Sequence, residues 1–387
     1  MAHNYYQQPG GEDRSFAAEA DVLETHGHTL HRYIKHNDAV GAMNKVALLR
    51  ATLWNGDIYN ELRDLFRSTR FDVAHFQNTF PLISPAAYYA AQAENIPVIQ
   101  TLRNYRLICP NAIFFRDGHV CEDCMGKAVP YPGVLHNCYR DSKVQSAVVA
   151  SMLTVHRARK TWTQQVDCYI ALTEFARQKF IQAGLDGDKI VVKPNFLQSD
   201  PGAGSGKGDY LVFVGRLTRE KGVWTLLEAM RKLGTVPLKI VGDGPDLPAM
   251  REFIQTHGLD HVDLLGRRKA EETLEIMKGA RALVLTSEWC ETFGRVAIES
   301  FACGVPVIAS RLGAVAEVVS DGINGWHFNP GDAEDLVEKA EAAWANPEKS
   351  AAMGRAGRQT YEENYTAAHN YQLLKEIYTR VIEQRRS

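Results

Sequence analysis

Four side chains in two short stretches carry the chemistry open to this chain: Glu291 and Glu299 in one, Arg216 and Lys221 in the other. The carboxylates lie in Ser287–Gly304, SEWCETFGRVAIESFACG, which follows an apolar run, Ala282 to Leu285, that reads as a buried strand. Near-helical spacing of Val296, Ala297, Phe301 and Ala302 predicts a helix from about Phe293 to Cys303, with Gly304 as its stop. The free N–H groups and positive dipole end at the start of such a helix suit an anion such as a diphosphate. Glu291 precedes the helix and Glu299 sits about two turns inside it, so the two are not a close acid pair. They can instead hold two parts of one extended ligand. Each carboxylate can accept two hydrogen bonds from the vicinal hydroxyls of a sugar or ribose, and a nucleotide sugar has that shape. The cations follow a second buried strand, Tyr210 to Gly215, in the turn Arg216-Leu-Thr-Arg-Glu-Lys221-Gly222 before a helix from Val223 to Leu233. Placed there, they can stabilise negative charge developing on a departing diphosphate.

Glu291-x7-Glu299, with Phe293-Gly294 inside it and Gly304-Val305-Pro306-Val307-Ile308 after it, resembles the signature of the family-4 retaining glycosyltransferases (glycosyl transferases group 1) of bacterial surface-polysaccharide type. The resemblance spans almost the whole chain and is most specific over residues 210–330. It implies an α/β GT-B fold, two Rossmann-like domains facing across a cleft that holds the active site and closes on the donor. It implies that Arg216 and Lys221 bind the diphosphate, Glu291 the donor sugar's hydroxyls and Glu299 the ribose. Gly215, Phe293, Gly294 and Glu317 would line the donor site, the backbone at Gly266 and Arg267 would hold the base, and the loop at Gly10 and Gly11 would face donor phosphates or acceptor. It further implies front-face transfer with retention, no divalent ion in the chemistry, and a leaving diphosphate that helps deprotonate the acceptor. Where the family usually has His, this chain has Arg103, longer, permanently charged and unable to act as a base. Arg103 is expected to contact an anion, a phosphate or an acidic sugar.

The elements around these residues alternate strand and helix, which implies parallel sheets with helices on both faces. Ligands sit at the carboxyl ends of such strands, which makes His75, Asn78 and Asn104 acceptor candidates beside Arg103. A chain of 387 residues is normal for two domains. The expected division is 1–196, acceptor-side and carrying a four-cysteine segment at 109–138, then 197–365, donor-binding, then a helix at 366–387 crossing back to the first domain. A Gly/Ser/Pro-rich stretch after Pro194-Asn195-Phe196 marks the linker. At the front, His3 to Tyr6 reads as the end of a first strand whose body would precede residue 1, followed by Pro9-Gly10-Gly11 and a helix to Thr25. Further strands are expected at Thr29–Ile34, 71–76, 97–101, 167–172 and 189–192, and helices over Asn44–Arg67, in one or two pieces, and Ser142–Trp162.

A net charge of −2 argues against a dedicated nucleic-acid binder. No apolar run is long enough to span a bilayer, and the polar start MAHNYYQQPGG is unlike a secretory leader, so a cytoplasmic location is expected, with peripheral contact on the inner membrane face as an extension. Seven cysteines without a leader do not read as a disulfide framework. Cys121 and Cys124 have zinc-knuckle spacing, bracketed by Cys109 and Cys138, so a structural zinc is expected, with four unligated thiols as the alternative. The Ser142–Trp162 helix ends in His156-Arg-Ala-Arg-Lys160. A core helix whose terminal cations meet its dipole is preferred over a basic face lying on anionic lipid. The expected ligands are a UDP- or GDP-sugar and a glycan or lipid-linked acceptor. Two rivals stay open: a sugar-nucleotide epimerase of the same fold, which product analysis without acceptor would expose, and a non-catalytic sugar-nucleotide-binding protein.

Overall fold

The computed structural model describes residues 1–7 and 10–386. Two compact units divide it: one holds Met1–Phe114, Cys121–Asn195 and the last helix from Ala368 on, the other Phe115–Val120 and Phe196–Ala367. In the first unit six parallel strands run in the order β2-β1-β3-β4-β7-β8. They are β1 (Ala2–Tyr5), β2 (Tyr33–His36), β3 (Ala74–Phe76), β4 (Val98–Leu102), β7 (Cys168–Ala171) and β8 (Ile190–Val192). Between β4 and β7 the cysteine segment forms an unanticipated antiparallel hairpin, β5 (Phe115–Arg116) and β6 (His119–Val120).

Two expectations at the front are corrected. The first strand is present at Ala2–Tyr5, not before residue 1, and it pairs in parallel with both β2 and β3. Polar bonds hold it where apolar residues are scarce: buried His3 meets Asp13 Oδ1 at 2.8 Å, and Asn4 donates to Asn37 Oδ1 at 2.6 Å. The second strand begins at Tyr33, so most of Thr29–Ile34 is loop. Of the one or two helical pieces expected over Asn44–Arg67, two form, Lys45–Leu53 and Gly56–Ser68. Asn44 and Asn55 each cap one of them by accepting a backbone N–H. The expected glycine loop includes Pro9, which lies outside the described residues. Gly10 caps the helix Gly11–Thr25, its N–H donating to Asp13 Oδ2 at 2.9 Å.

The second unit repeats the theme with β9 (Leu211–Val214), β10 (Leu238–Val241), β11 (Val262–Gly266), β12 (Ala282–Leu285), β13 (Val307–Ser310) and β14 (Gly325–Phe328), all parallel, in the order β11-β10-β9-β12-β13-β14. Their apolar runs bury both faces: Leu211, Phe213, Ala282, Val284, Ile308 and Phe328 on one, and Val212, Leu283, Leu285, Val307 and Ala309 on the other. The helix Val223–Leu233 covers one face with Val223, Leu226, Leu227 and Met230, at i, i+3, i+4 and i+7. Each such side chain contributes about 1.5–3 kcal/mol. Both units are therefore Rossmann-like. Among the described residues no helix is long and apolar enough to cross a membrane.

Candidate active site

In the second sheet the strand order reverses between β9 and β12, and a doubly wound sheet opens a crevice at the carboxyl ends of such a pair. Of the donor-side residues expected from the sequence, Gly215, Gly266, Arg267, Glu291, Phe293 and Gly294 end or follow strands of this sheet, whereas Gly10 and Gly11 open the first helix of the other unit. Gly215 follows β9, its N–H donating to Val241 at 3.0 Å. The turn that carries Lys221 is locked to the end of β12. Thr286 Oγ1 donates to the Lys221 carbonyl at 2.8 Å, and the Glu288 N–H to the Glu220 carbonyl at 2.8 Å. Gly222, at φ +67, lies so close that a Cβ would run into the Thr286 carbonyl oxygen. Only glycine meets both demands there.

This clamp brings Lys221 Nζ to 2.6 Å from Glu291 Oε1, with the Ser287 hydroxyl donating to the same oxygen. Glu291 is buried and Lys221 half-buried. The lysine ammonium also stands 5.3 Å from the Trp289 ring centre, a cation–π contact. The helix Arg295–Ala302 starts two residues later than expected, from Gly294 at φ +88. Phe293 is buried edge-on to Tyr365 at 5.8 Å. Glu299 accepts from Arg295 Nε one turn earlier, at 3.1 Å. Arg216, Arg267 and Glu317 are exposed, and Gly266 ends β11 at φ +69. Burial first, then the charge of Glu317, pushes the Tyr365 phenol up to about 12. Sequence reasoning overlooked Ser287, Glu288, which accepts from Thr225 Oγ1 at 2.5 Å, and Trp289. All three stand inside the stretch that held the motif, and only their contacts reveal a role.

The first unit treats its candidates differently. Arg103 does not reach toward open solvent. Buried, it donates to Gln77 and, at 2.7 Å, to Asn195 Oδ1, and lies 3.1 Å from Glu19 Oε1. Lys193 Nζ, fully buried, donates to that same carboxylate and to Asn370 Oδ1, each at 2.8 Å. Burial alone would raise the Glu19 carboxyl. Lys193 and Arg103 outweigh it and hold the group well below the usual carboxylate range. The anion that meets Arg103 is the protein's own. His75 is enclosed as well, with Nδ1 2.7 Å from the Tyr378 hydroxyl and Nε2 2.7 Å from Thr101 Oγ1. Burial brings it down to about 3, so it is neutral. Asn78 Nδ2 donates to the Asn4 carbonyl at 2.7 Å, while Asn104 Nδ2 donates to Glu12 Oε1 at 2.9 Å. Glu19 and Lys193 were not anticipated; a lysine before Pro194 at a strand end is the one sequence signal that pointed to them.

Of the four cysteines, Cys109 and Cys124 are buried and Cys121 and Cys138 half-buried. The Cys124 thiol is pushed up to about 12, by burial first and then by Cys109, Cys138 and Cys121 around it, against the Gly133 N–H that lowers it. The donor set suits zinc, yet among the described residues no three His, Cys, Asp or Glu side chains are arranged to hold a metal ion.

Comparison with known proteins bears on both units. Residues 198–360 match the model of the glycosyl transferases group 1, and residues 9–195 that of the glycosyl transferase 4-like domain. An uncharacterized glycosyltransferase of Methanocaldococcus jannaschii is 36% identical over 155 residues, 40% of this chain and 44% of that protein. The O-antigen chain mannosyltransferase C of Escherichia coli is 29% identical over 179 residues, 46% and 48% of the two chains. The match thus spans about half the length of these curated relatives. The crystal structure of Anabaena HepE with UDP superposes with a TM-score of 0.70 at 17% identity, covering 98% of each chain. That likeness shows a shared GT-B fold.

Proposed function

Because the chain belongs to the group 1 glycosyltransferases, we propose that it moves a sugar from a nucleotide-sugar donor to a glycan or lipid-linked acceptor, with retention, in the assembly of a surface polysaccharide. The observation that carries this reading is the clamp at the β9/β12 switch point, which sets Lys221 beside Glu291. A cation for a diphosphate and a carboxylate for sugar hydroxyls stand side by side, as one extended donor requires. On binding, the phosphate takes over Lys221 and the sugar hydroxyls take over Glu291, so the ion pair of the free chain is exchanged for two ligand contacts. Exposed Arg216 swings onto the phosphates, and the two cations lower the energy of the departing diphosphate. Glu299, half-covered and held by Arg295, takes the ribose. The chemistry proceeds with these side chains alone, the diphosphate accepting the acceptor's proton. UDP is the first nucleotide to try, since the HepE structures hold UDP and UDP-glucose. The mannosyl transfer in the name of the Escherichia coli relative keeps GDP-mannose on the panel.

Calorimetric titration of UDP, GDP and ADP, then of their common sugars, in EDTA, tests this reading with Glu299→Ala as control. One nucleotide is expected to bind at micromolar strength and to lose that binding in the variant. No binding by any of the three would overturn the donor half of the proposal.

A further inference from the structure

The helix Lys143–Ala158 does not bury its whole apolar content. Val144 is 68% exposed and Val155 40%, and the short helix Tyr131–Leu135 alongside leaves Leu135 61% and Tyr131 52% exposed. Val129, at 47%, continues the patch. Between these two helices runs an open groove of ≈ 410 Å³ lined by Val129, Tyr131, Leu135, Ala147, Ser151 and Val155 among others. So many exposed large apolar side chains on one face mark a surface that something covers. The preferred sequence reading, a core helix, holds for Val149, Met152 and Leu153 but not for this second face.

The charge along this segment is one-sided. From Gly126 to Lys160 the chain carries Lys127, Arg140, Lys143, Arg157, Arg159 and Lys160 against a single carboxylate, Asp141. Arg157 is spent inward, donating to the carbonyls of Lys127, Leu107 and Ile108. The other five cations are exposed. Along the chain they bracket the two helices: Arg140 and Lys143 at the start of the long one, Arg159 and Lys160 beyond its end with the Arg159 guanidinium 5.6 Å from the Trp54 ring, and Lys127 near Tyr131 with its ammonium 5.5 Å from that ring. Lysine and arginine stems can lie along apolar surface with their heads at the polar boundary.

We infer that this face docks on an anionic lipid bilayer, Leu135, Val144 and Val155 entering the headgroup–acyl boundary and the five cations meeting lipid phosphates. The charge complementarity selects lipid over a second copy, because two copies would bring the same cations together. The surface deepens the reading of a lipid-linked acceptor and rests on it for its purpose. Its test needs neither donor nor acceptor, so nucleotide binding can stand whatever the vesicles show.

The full chain is sedimented with vesicles of phosphatidylcholine alone and of phosphatidylcholine mixed with phosphatidylglycerol, and its mass is followed by light scattering. Binding to the anionic vesicles only, falling as salt rises, is expected. Lys143→Glu/Lys160→Glu should weaken it by roughly thirtyfold or more, and Leu135→Ser/Val144→Ser by roughly tenfold or more. An unchanged circular dichroism spectrum and urea midpoint show that each variant is folded, and the charge variant alone suffices if the serine variant is not. No vesicle binding, equal binding to neutral vesicles, or a dimer that Leu135→Ser/Val144→Ser dissolves would each overturn the inference.

Discussion

Lys221 and Glu291 neutralise each other before any ligand arrives, and this gives two substitutions effects of opposite sign on a nucleoside diphosphate. The ammonium lies 2.6 Å from the carboxylate, with side-chain exposures of 22% and 9%. A charge-assisted hydrogen bond to phosphate is worth about 1.5–3 kcal/mol. Lys221→Gln removes that bond and leaves Glu291 facing the phosphate, so the diphosphate should bind roughly ten- to 150-fold more weakly. Glu291→Gln removes the carboxylate that competes for Lys221. The partly exposed pair is worth at most about 1 kcal/mol, so a diphosphate without sugar should bind unchanged or up to about fivefold more tightly. The complete nucleotide sugar should instead lose affinity, because its hydroxyls no longer meet a charged acceptor. Calorimetry of each variant with the preferred diphosphate and with its sugar conjugate reads all four numbers. If Glu291→Gln weakens the diphosphate as much as the conjugate, the exchange of one ion pair for two ligand contacts is wrong.

Three further outcomes are expected. Glu19→Gln strands Lys193 and Arg103 in the interior of the first unit and should cost about 3–5 kcal/mol, read as a lower urea midpoint; a loss under about 1 kcal/mol would mean water reaches the network. His75 is neutral in the folded chain, brought down to about 3 from 6.5, while the unfolded chain takes up its proton below 6.5. Stability should therefore fall as pH drops from 6.5, by up to about 1.4 kcal/mol per pH unit. Buried His156 and the Met1 amine, which burial brings down to about 5, add to the loss over the same range, so His75 is read from the difference between wild type and variant above pH 4.5, below which Glu19 adds its own loss. His75→Asn should flatten that slope in urea midpoints taken across this range, and an unchanged slope would clear His75. Finally, zinc is proposed at Cys109, Cys121, Cys124 and Cys138, drawing the thiols together and displacing the proton that burial keeps on Cys124. Metal analysis should find about one zinc per chain, and chelation should lower the melting temperature; a metal-free, equally stable protein would leave a buried thiol cluster.

What was legible in the sequence was what neighbouring residues decide. The β9 and β12 runs are apolar enough to announce buried parallel strands, and the loops that follow them meet because parallel strands bring their carboxyl ends to one edge. The resemblance of the two stretches to one family's signature is what put Gly215, Lys221 and Glu291 in one expected site, and the fold sets Lys221 beside Glu291. Strand β1 was misplaced because AHNY carries no apolar run: its stability comes from Asp13 and Asn37, far along the chain. Arg103 shows the same failure more sharply. Its type was plain, but a charge acts through its partner, and here the partner is Glu19, which Lys193 reaches from 174 residues away. Two buried cations share that one carboxylate, an arrangement that costs desolvation and that apolar packing could replace. The network joins the first helix, the ends of three strands and Asn370 of the last helix, so its return is registry. It fixes how Gly11–Thr25 and Ala367–Arg386 lie on the sheet, a role no local pattern in the sequence encodes.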